Sequence, residues 1–301
     1  MDRRILLLLA AIIVVLLLLV LDIPQLIQRP LVEKAVPVSS DPIIVEAPDA
    51  PLPEPTPEEE IPFITESVKE SIVAPLASST YLIVEDSCGP YFNGECLNIR
   101  SGPSASTTRV LFAREGMVLP IDETLEHDGR TWYRVVFSEW LRFPERVSGP
   151  WYVARGFGSV VTAPASESFD ASTTPKTTKR IIVDRSDQLL IAYDGEEVFM
   201  QEKISTGLDL TPTPRGTFTV FRKTPSRYMQ GPLAGISNDY YDLPGVPWNL
   251  YFTHEGGAIH GTYWHDHFGQ QWSHGCVNLP EAKARMLYEW APLGTTVTVR
   301  D

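Results

Sequence analysis

Basic clusters are missing from this chain. It carries 25 Lys and Arg against 38 Asp and Glu, a net charge of −13. Nowhere do the bases gather into a run or stripe that would neutralise phosphates, which argues against nucleic-acid partners. No glycine-rich loop leads into a helix, so nothing resembles a phosphate cradle. Cysteine is scarce, with three in 301 residues. Zinc sites usually combine tight ligand pairs or a second cysteine, and neither accompanies the histidines here.

Only one long apolar run is present, residues 5–21, and it stands behind Arg3 and Arg4. At about 1.5 Å per residue it is the short end of a membrane-spanning helix. A cleaved signal peptide is the alternative, but the run ends in Val20-Leu21-Asp22-Ile23-Pro24 without a small-x-small site. Both readings export the rest of the chain, and the two arginines keep the N-terminus inside. The expectation is a single-pass cell-membrane protein with its remainder extracytoplasmic, or a secreted one if residues 1–21 are removed. Residues 22–78 then hold eleven acids, three bases and eleven prolines. Proline resists helix and sheet ladders and like charges repel, so this segment reads as an extended linker.

Cys88 and Cys96 flank Gly89, Pro90, Asn93 and Gly94, which is turn chemistry. In an oxidising compartment they are candidates for a disulfide, with two unpaired thiols the alternative. Cys276 is left over and invites examination as a reactive thiol.

Residues 79–162 read as all-β, with runs such as Tyr81-Leu82-Ile83-Val84, Trp132-Tyr133-Arg134-Val135-Val136 and Trp151-Tyr152-Val153-Ala154 between glycine and aspartate turns. The segment Leu97-Asn98-Ile99-Arg100-Ser101-Gly102-Pro103-Ser104, then Gly116, Asp128-Gly129-Arg130-Thr131-Trp132 and the 151–154 strand, resembles bacterial SH3-type domains. It departs from them in the cysteine-bearing insertion at 88–96 and the long segment 138–150. The resemblance implies an SH3-like β-barrel that binds cell-wall peptide or packs on a catalytic neighbour; a spacer without a ligand is equally compatible. Residues 163–178, rich in Ser, Thr, Ala and Pro, read as a second linker.

From Lys179 the pattern is β again. Arg180-Ile181-Ile182-Val183-Asp184 and Gln188-Leu189-Leu190-Ile191-Ala192-Tyr193 precede Asp194-Gly195 and then Glu197-Val198-Phe199-Met200, a hairpin signal. Thr213-Pro214-Arg215-Gly216 is a turn before Thr217-Phe218-Thr219-Val220. One helix is expected after residue 278: Asn278 as cap, Pro280 in the first turn, and Ala282, Met286, Leu287 and Trp290 on the apolar face. Gly294 ends it before a last strand at 295–299.

The chemistry concentrates between 259 and 279. A free thiol has a pKa near 8.5, so a cysteine nucleophile needs a basic or cationic neighbour, usually histidine. His274, two residues before Cys276, shares its face if the backbone is extended there. His260, sixteen residues before, is far enough for a loop to return it to the thiol. Gly275 leaves a substrate carbonyl room to approach. A turn into the following helix would aim the amides of Gly275 and Cys276 at a developing oxyanion. Two other readings stay open: Cys276 as a small buried hydrophobe, and His254, His260, His265 and His267 as a metal cluster.

His260-Gly261 followed by Ser273-His274-Gly275-Cys276-Val277-Asn278-Leu279 resembles the signature of L,D-transpeptidases of the YkuD type. Ser205-Thr206-Gly207, Thr213-Pro214-Arg215-Gly216, Pro247-Trp248 and the closing helix follow in the same order, over residues 179–301. The resemblance implies a mainly β chain: membrane helix, SH3-like barrel, then a β-sandwich-like catalytic domain with a short C-terminal helix. It implies peptidoglycan stem peptides as substrate and no cofactor. Cys276 would be the nucleophile and His260 the general base, oriented by the backbone carbonyl of Gly261. His274, Gly275 and Ser273 would shape the oxyanion side. Asn278, Trp264, Tyr228 and Met229, with Ser273, would line the cleft, although for Tyr228, Met229 and Trp264 ordinary packing is the leading alternative. An L,D-carboxypeptidase and a wall-binding scaffold with an inactive catalytic domain are the competing functions.

Overall fold

The computed structural model describes residues 78–90, 96–169, 177–232 and 240–301. The apolar run at 5–21 and all but the last residue of the 22–78 linker lie outside these residues. Among the described residues, no helix is long and apolar enough to cross a membrane. The described chain is mainly β, as the alternating patterns require.

Seven strands form the N-terminal sheet: β1 (Ser78–Val84), β2 (Leu97–Arg100), β3 (Arg109–Ala113), β4 (Val118–His127), β5 (Arg130–Val135), β6 (Trp151–Ala154) and β7 (Gly158–Pro164), in the order β3-β2-β6-β5-β4-β1-β7. Asp128 and Gly129 both take positive φ, 52° and 70°, between β4 and β5. That double left-handed turn is the one whose twist suits a two-residue hairpin. Cys88 and Cys96 are joined as a disulfide.

Of the segment read as a second linker, residues 163–164 complete β7 and Glu167–Ser168 form β8; residues 170–176 lie outside the described ones. Next come β9 (Lys179–Asp184), β10 (Leu189–Asp194), β11 (Glu197–Lys203), β12 (Gly216–Thr219), β13 (Arg222–Pro232), β14 (Tyr240–Tyr251), β15 (Ala258–Gly261) and β16 (Val277–Leu279). The chain closes with one helix, α1 (Glu281–Trp290), and β17 (Thr296–Arg300). Two five-stranded sheets result, β11-β10-β9-β17-β12 and β16-β15-β14-β13-β8. Ile181, Val183 and Leu190 of one share a core with Leu250, Ile259 and Val277 of the other.

The helix departs from the expected pattern in two respects. Asn278 does not cap it; Asn278 is inside β16, and Pro280 holds the cap position without a side-chain hydrogen bond. The buried face is Ala284, Leu287 and Tyr288, while Met286 is exposed. Contact with β14 and β15 fixes which face of the helix is buried.

The N-terminal sheet is packed directly onto the C-terminal half. Tyr81, Ile83 and Val118 enter the core of the two five-stranded sheets, and Tyr228, Val246 and Tyr263 enter that of the N-terminal sheet. Ser226 Oγ donates to the Val118 carbonyl at 2.5 Å. Gly245, at φ 67°, lets the backbones approach so closely that a Cβ there would lie 2.9 Å from the Val118 oxygen.

At the same junction Glu281 lies against Gly116. Burial, reinforced by Glu115, pushes its pKa from 4.5 to about 7. A carboxyl with a raised folded-state pKa costs nothing below 4.5, an increasing amount up to about 7, and a constant amount above. Glu281→Gln is therefore expected to raise the melting temperature at pH 8 and to leave it unchanged near pH 4.5. Equal gains at both pH values in thermal unfolding would show that ionisation is not the cause.

Candidate active site

The short strands β15 and β16 run parallel, with His260 opposite Asn278 and Ile259 opposite Val277. A parallel pair needs a crossover of about a dozen residues or more. Here residues 262–276 supply it, which accounts for the sixteen-residue interval between His260 and Cys276. Paired residues of parallel strands share a face, and so do residues two apart. Ile259 and Val277 turn into the core, while His260, Asn278 and Cys276 all border one cavity of about 220 Å³.

Cys276 is reached through a tight loop. Ser273 Oγ accepts from Gly275 N–H at 3.1 Å and donates to the Cys276 carbonyl at 2.5 Å. Gly275 has φ 118°, a conformation open chiefly to glycine. Residues 274–276 form a bend, not a strand, so the extended geometry that would align His274 with Cys276 does not occur. His274 instead packs on Tyr241, ring centroids 5.6 Å apart, and borders the same cavity. The Gly275 amide is committed to Ser273 and is not free for an oxyanion. Segments flagged in the sequence support the loop from below: Ser205 and Asn278 exchange backbone hydrogen bonds at 3.0 and 2.8 Å, and Leu208 N–H bonds the Ser273 carbonyl.

His260 is buried, with Nδ1 2.9 Å from the Gly261 carbonyl oxygen. A carbonyl only accepts, so Nδ1 carries the ring proton and Nε2 keeps its lone pair. Burial lowers the His260 pKa to about 4, against a smaller upward pull from Gly261. Burial also raises the thiol of Cys276, with the Ala258 amide opposing. Sγ is 3.8 Å from the Gly256 carbonyl oxygen. Near neutral pH the resting site is thus a neutral thiol and a neutral imidazole, not a preformed ion pair. Such a pair acts by moving the thiol proton as attack proceeds.

Gly261 itself is hemmed in: a Cβ would meet Pro247 Cγ at 2.8 Å and α1 at 3.2 Å. Trp264 lies beside His260, ring centroids 5.8 Å apart. Met229, Trp264, Ser273 and Asn278 border the Cys276 cavity. Tyr228 is absent from that cavity but borders a second, adjoining one at Cys276; its ring also packs on Phe137 at 5.1 Å and Trp151 at 5.9 Å, at the junction with the N-terminal sheet.

The histidines are accounted for individually. His265 is buried; its Nδ1 accepts from His267 N–H at 3.2 Å, and its Nε2 is 2.8 Å from the Asn278 amide. Burial, aided by His267 and His260, lowers its pKa to about 4, which keeps it neutral. The amide atom nearest Nε2 is Asn278 Nδ2, while Asn278 Oδ1 is buried and unpaired. With Nδ1 committed as acceptor, Nε2 carries the proton, so the amide turned to present Oδ1 is the matching arrangement. His254 packs on Phe221, ring centroids 4.4 Å apart and tilted. No group of three or more His, Cys, Asp or Glu fit to hold a metal occurs among the described residues. Tyr241, Leu243 and Trp272 also wall the cavity. Only the tertiary fold brings them there, and no local motif marks them.

Residues 178–299 match the family model of the L,D-transpeptidase catalytic domain, YkuD. No match was found among curated proteins. Among solved structures, the chain is similar to an L,D-transpeptidase mutant from Enterococcus faecium, at 28% identity over 41% of this chain and 50% of that one, TM-score 0.38. It is also similar to an L,D-transpeptidase from Stackebrandtia nassauensis, at 26% identity over 44% and 60%, TM-score 0.34. A third similar structure, from Mycobacterium smegmatis, shows 20% identity over 57% and 90%, TM-score 0.40. The chain spans about half the length of the E. faecium chain it matches.

A neutral resting pair makes a definite prediction. The rate of iodoacetamide alkylation of Cys276 is expected to keep rising above pH 9, without a plateau at neutral pH. His260→Ala is expected to slow alkylation at pH 7. A plateau beginning between pH 4 and 7, or an unchanged rate in the variant, would contradict this description of the pair.

Proposed function

We propose that the protein is a peptidoglycan L,D-transpeptidase working through a thioester on Cys276. The observation that carries this reading is the single cavity shared by Cys276 and a buried His260 whose tautomer leaves Nε2 free. His260 takes the thiol proton while Sγ attacks the carbonyl between the L-centre of a diamino acid and a terminal D-residue. The tetrahedral intermediate collapses, the C–N bond breaks, and the D-residue leaves with that proton on its amine. The amine of a second stem then attacks the thioester, loses a proton to His260 and restores the thiol. Gly261 positions the imidazole. Because the Gly275 amide is occupied, the Cys276 amide is assigned to the oxyanion, with His274 beside it. Ser273 holds the loop, and Asn278, Trp264 and Met229 line the cleft.

The N-terminal sheet is proposed to be of the bacterial SH3 type, fixed against the catalytic half rather than free on a linker. Residues 5–21 are proposed to hold the protein at the outer face of the cell membrane, with 22–78 as the tether. If water replaces the acceptor amine, the same intermediate gives an L,D-carboxypeptidase.

The test is mass spectrometry of the full chain incubated with a disaccharide-tetrapeptide. A dimer short of one D-residue per cross-link is expected. Tripeptide alone would move the assignment to carboxypeptidase, and no product with an unmodified Cys276 would favour a binding scaffold. Cys276→Ala is expected to abolish turnover and keep the fold, checked by circular dichroism. His260→Ala is expected to lose about 10²-fold or more in turnover, the usual contribution of a general base.

A further inference from the structure

The cleft at Cys276 has a second arm to which the chemistry above assigns no role. It is a cavity of about 620 Å³ bordered by Cys276 and Gly256 and, from the N-terminal sheet's long 138–150 segment, by Trp140 and Arg142. Arg142, Arg222 and Arg227 line it. In a chain of net charge −13, three guanidinium groups around one cavity are a local reversal of sign.

Their commitments differ. Arg227 is paired with Glu139 and donates to the Trp140 carbonyl at 2.7 Å. Arg142 and Arg222 form no carboxylate ion pair among the described residues, although Arg222 is within electrostatic reach of Glu139. Arg142 lies over Phe143, 5.4 Å from the ring centroid, and Arg222 over Tyr251 at 5.2 Å, with Nε 3.4 Å from Ser166 Oγ. The acids nearby are Glu139, neutralised by Arg227, and Glu255 on the cavity wall. Trp140 is 73% exposed, an uncommon condition for so large an apolar side chain.

The segment that brings Trp140 and Arg142 here is clamped in place. Glu139 accepts from Tyr228 N–H at 2.7 Å, and Gln230 bonds both the N–H and the carbonyl of Phe143, at 3.0 and 3.1 Å. Arg146 pairs with Asp242. These bonds join it to β13 and β14, so the unusual length of this segment builds a wall of the cleft.

We propose that this arm is a carboxylate-binding subsite, made jointly by the two halves of the protein. Arg142 and Arg222 hold a carboxylate of the peptide whose reacting carbonyl stands at Cys276, and Trp140 covers the adjoining backbone. The peptide identity of the ligand rests on the proposed function; the anion preference does not. Guanidinium groups suit this task because their planar fork meets a carboxylate through two hydrogen bonds. Screening limits the effect to about 8 Å at physiological salt, so the preference is local to the cleft. The carboxylate is either the free C-terminus or an acidic side chain of the peptide.

Two measurements on the full chain test this. The first compares alkylation of Cys276 by iodoacetate, an anion, and iodoacetamide, its neutral analogue. The ratio of the iodoacetate to the iodoacetamide rate is expected to fall several-fold in Arg142→Gln/Arg222→Gln; an unchanged ratio would overturn the subsite. The second is calorimetric titration of the Cys276→Ala protein with a synthetic acidic tetrapeptide, its C-terminal amide and its side-chain amide. One amidation is expected to weaken binding about tenfold, identifying the carboxylate, and to have no effect once both arginines are glutamine. If neither amidation matters, or both variants respond alike, the proposal fails. A normal alkylation ratio response without binding of any tetrapeptide would instead count against the peptide-directed function and leave the anion site standing.

Discussion

The parallel ladder between β15 and β16 is the constraint on which the site depends. It sets His260 opposite Asn278 and brings the residue two before Asn278, the thiol, to the same side. Parallel strands cannot be joined by a tight turn, so the chain must make a long crossover, and that crossover becomes the cavity wall. Trp264, Trp272 and His274 all belong to it. Its rigidity comes from below, where Ser205 pairs with Asn278 and Leu208 bonds Ser273. The Ser273 hydroxyl, bonded to both Gly275 and Cys276, then fixes the last turn before the Cys276 thiol.

Burial governs the electrostatics of this pair. Desolvation, nearly complete for His260 and partial for Cys276, favours their neutral forms, raising the thiol and lowering the imidazole. The Gly261 carbonyl directs the His260 proton to Nδ1 but does not make the ring cationic. On the proposed mechanism, the thiolate forms only as attack proceeds, with bound substrate part of the environment that produces it.

The N-terminal sheet is more than a neighbour. Its core residues interleave with those of the catalytic half, and the 138–150 segment is fastened to β13 and β14 by side chains from both partners. A wall of the cleft and a core boundary are built by the same contacts. Any change that loosened this junction would reach the thiol through β13, whose Met229 borders both arms of the cleft.

Much of the scaffold was legible in the sequence because local rules decide it. Alternating apolar residues gave β1, β5, β6, β9 and β10, and Asp194-Gly195 marked a hairpin. The His260 to Cys276 interval, with its Ser-His-Gly-Cys string, pointed to the thiol. Asn278 misled as a helix cap because its side chain is equally suited to a partner inside a strand, and only the fold supplies His265. Likewise the choice of helix face, the turn at 274–276 that removes Gly275 from the oxyanion, and the packing of Tyr228 on Phe137 needed neighbours distant in the chain. The sequence by itself determined which chemical groups were available and which elements would form, since propensity, turn chemistry and period are local. Tertiary structure alone decided which of those groups meet, their protonation, and that a loop of the N-terminal sheet brings arginine to the cleft, because burial and contact are properties of the packed chain.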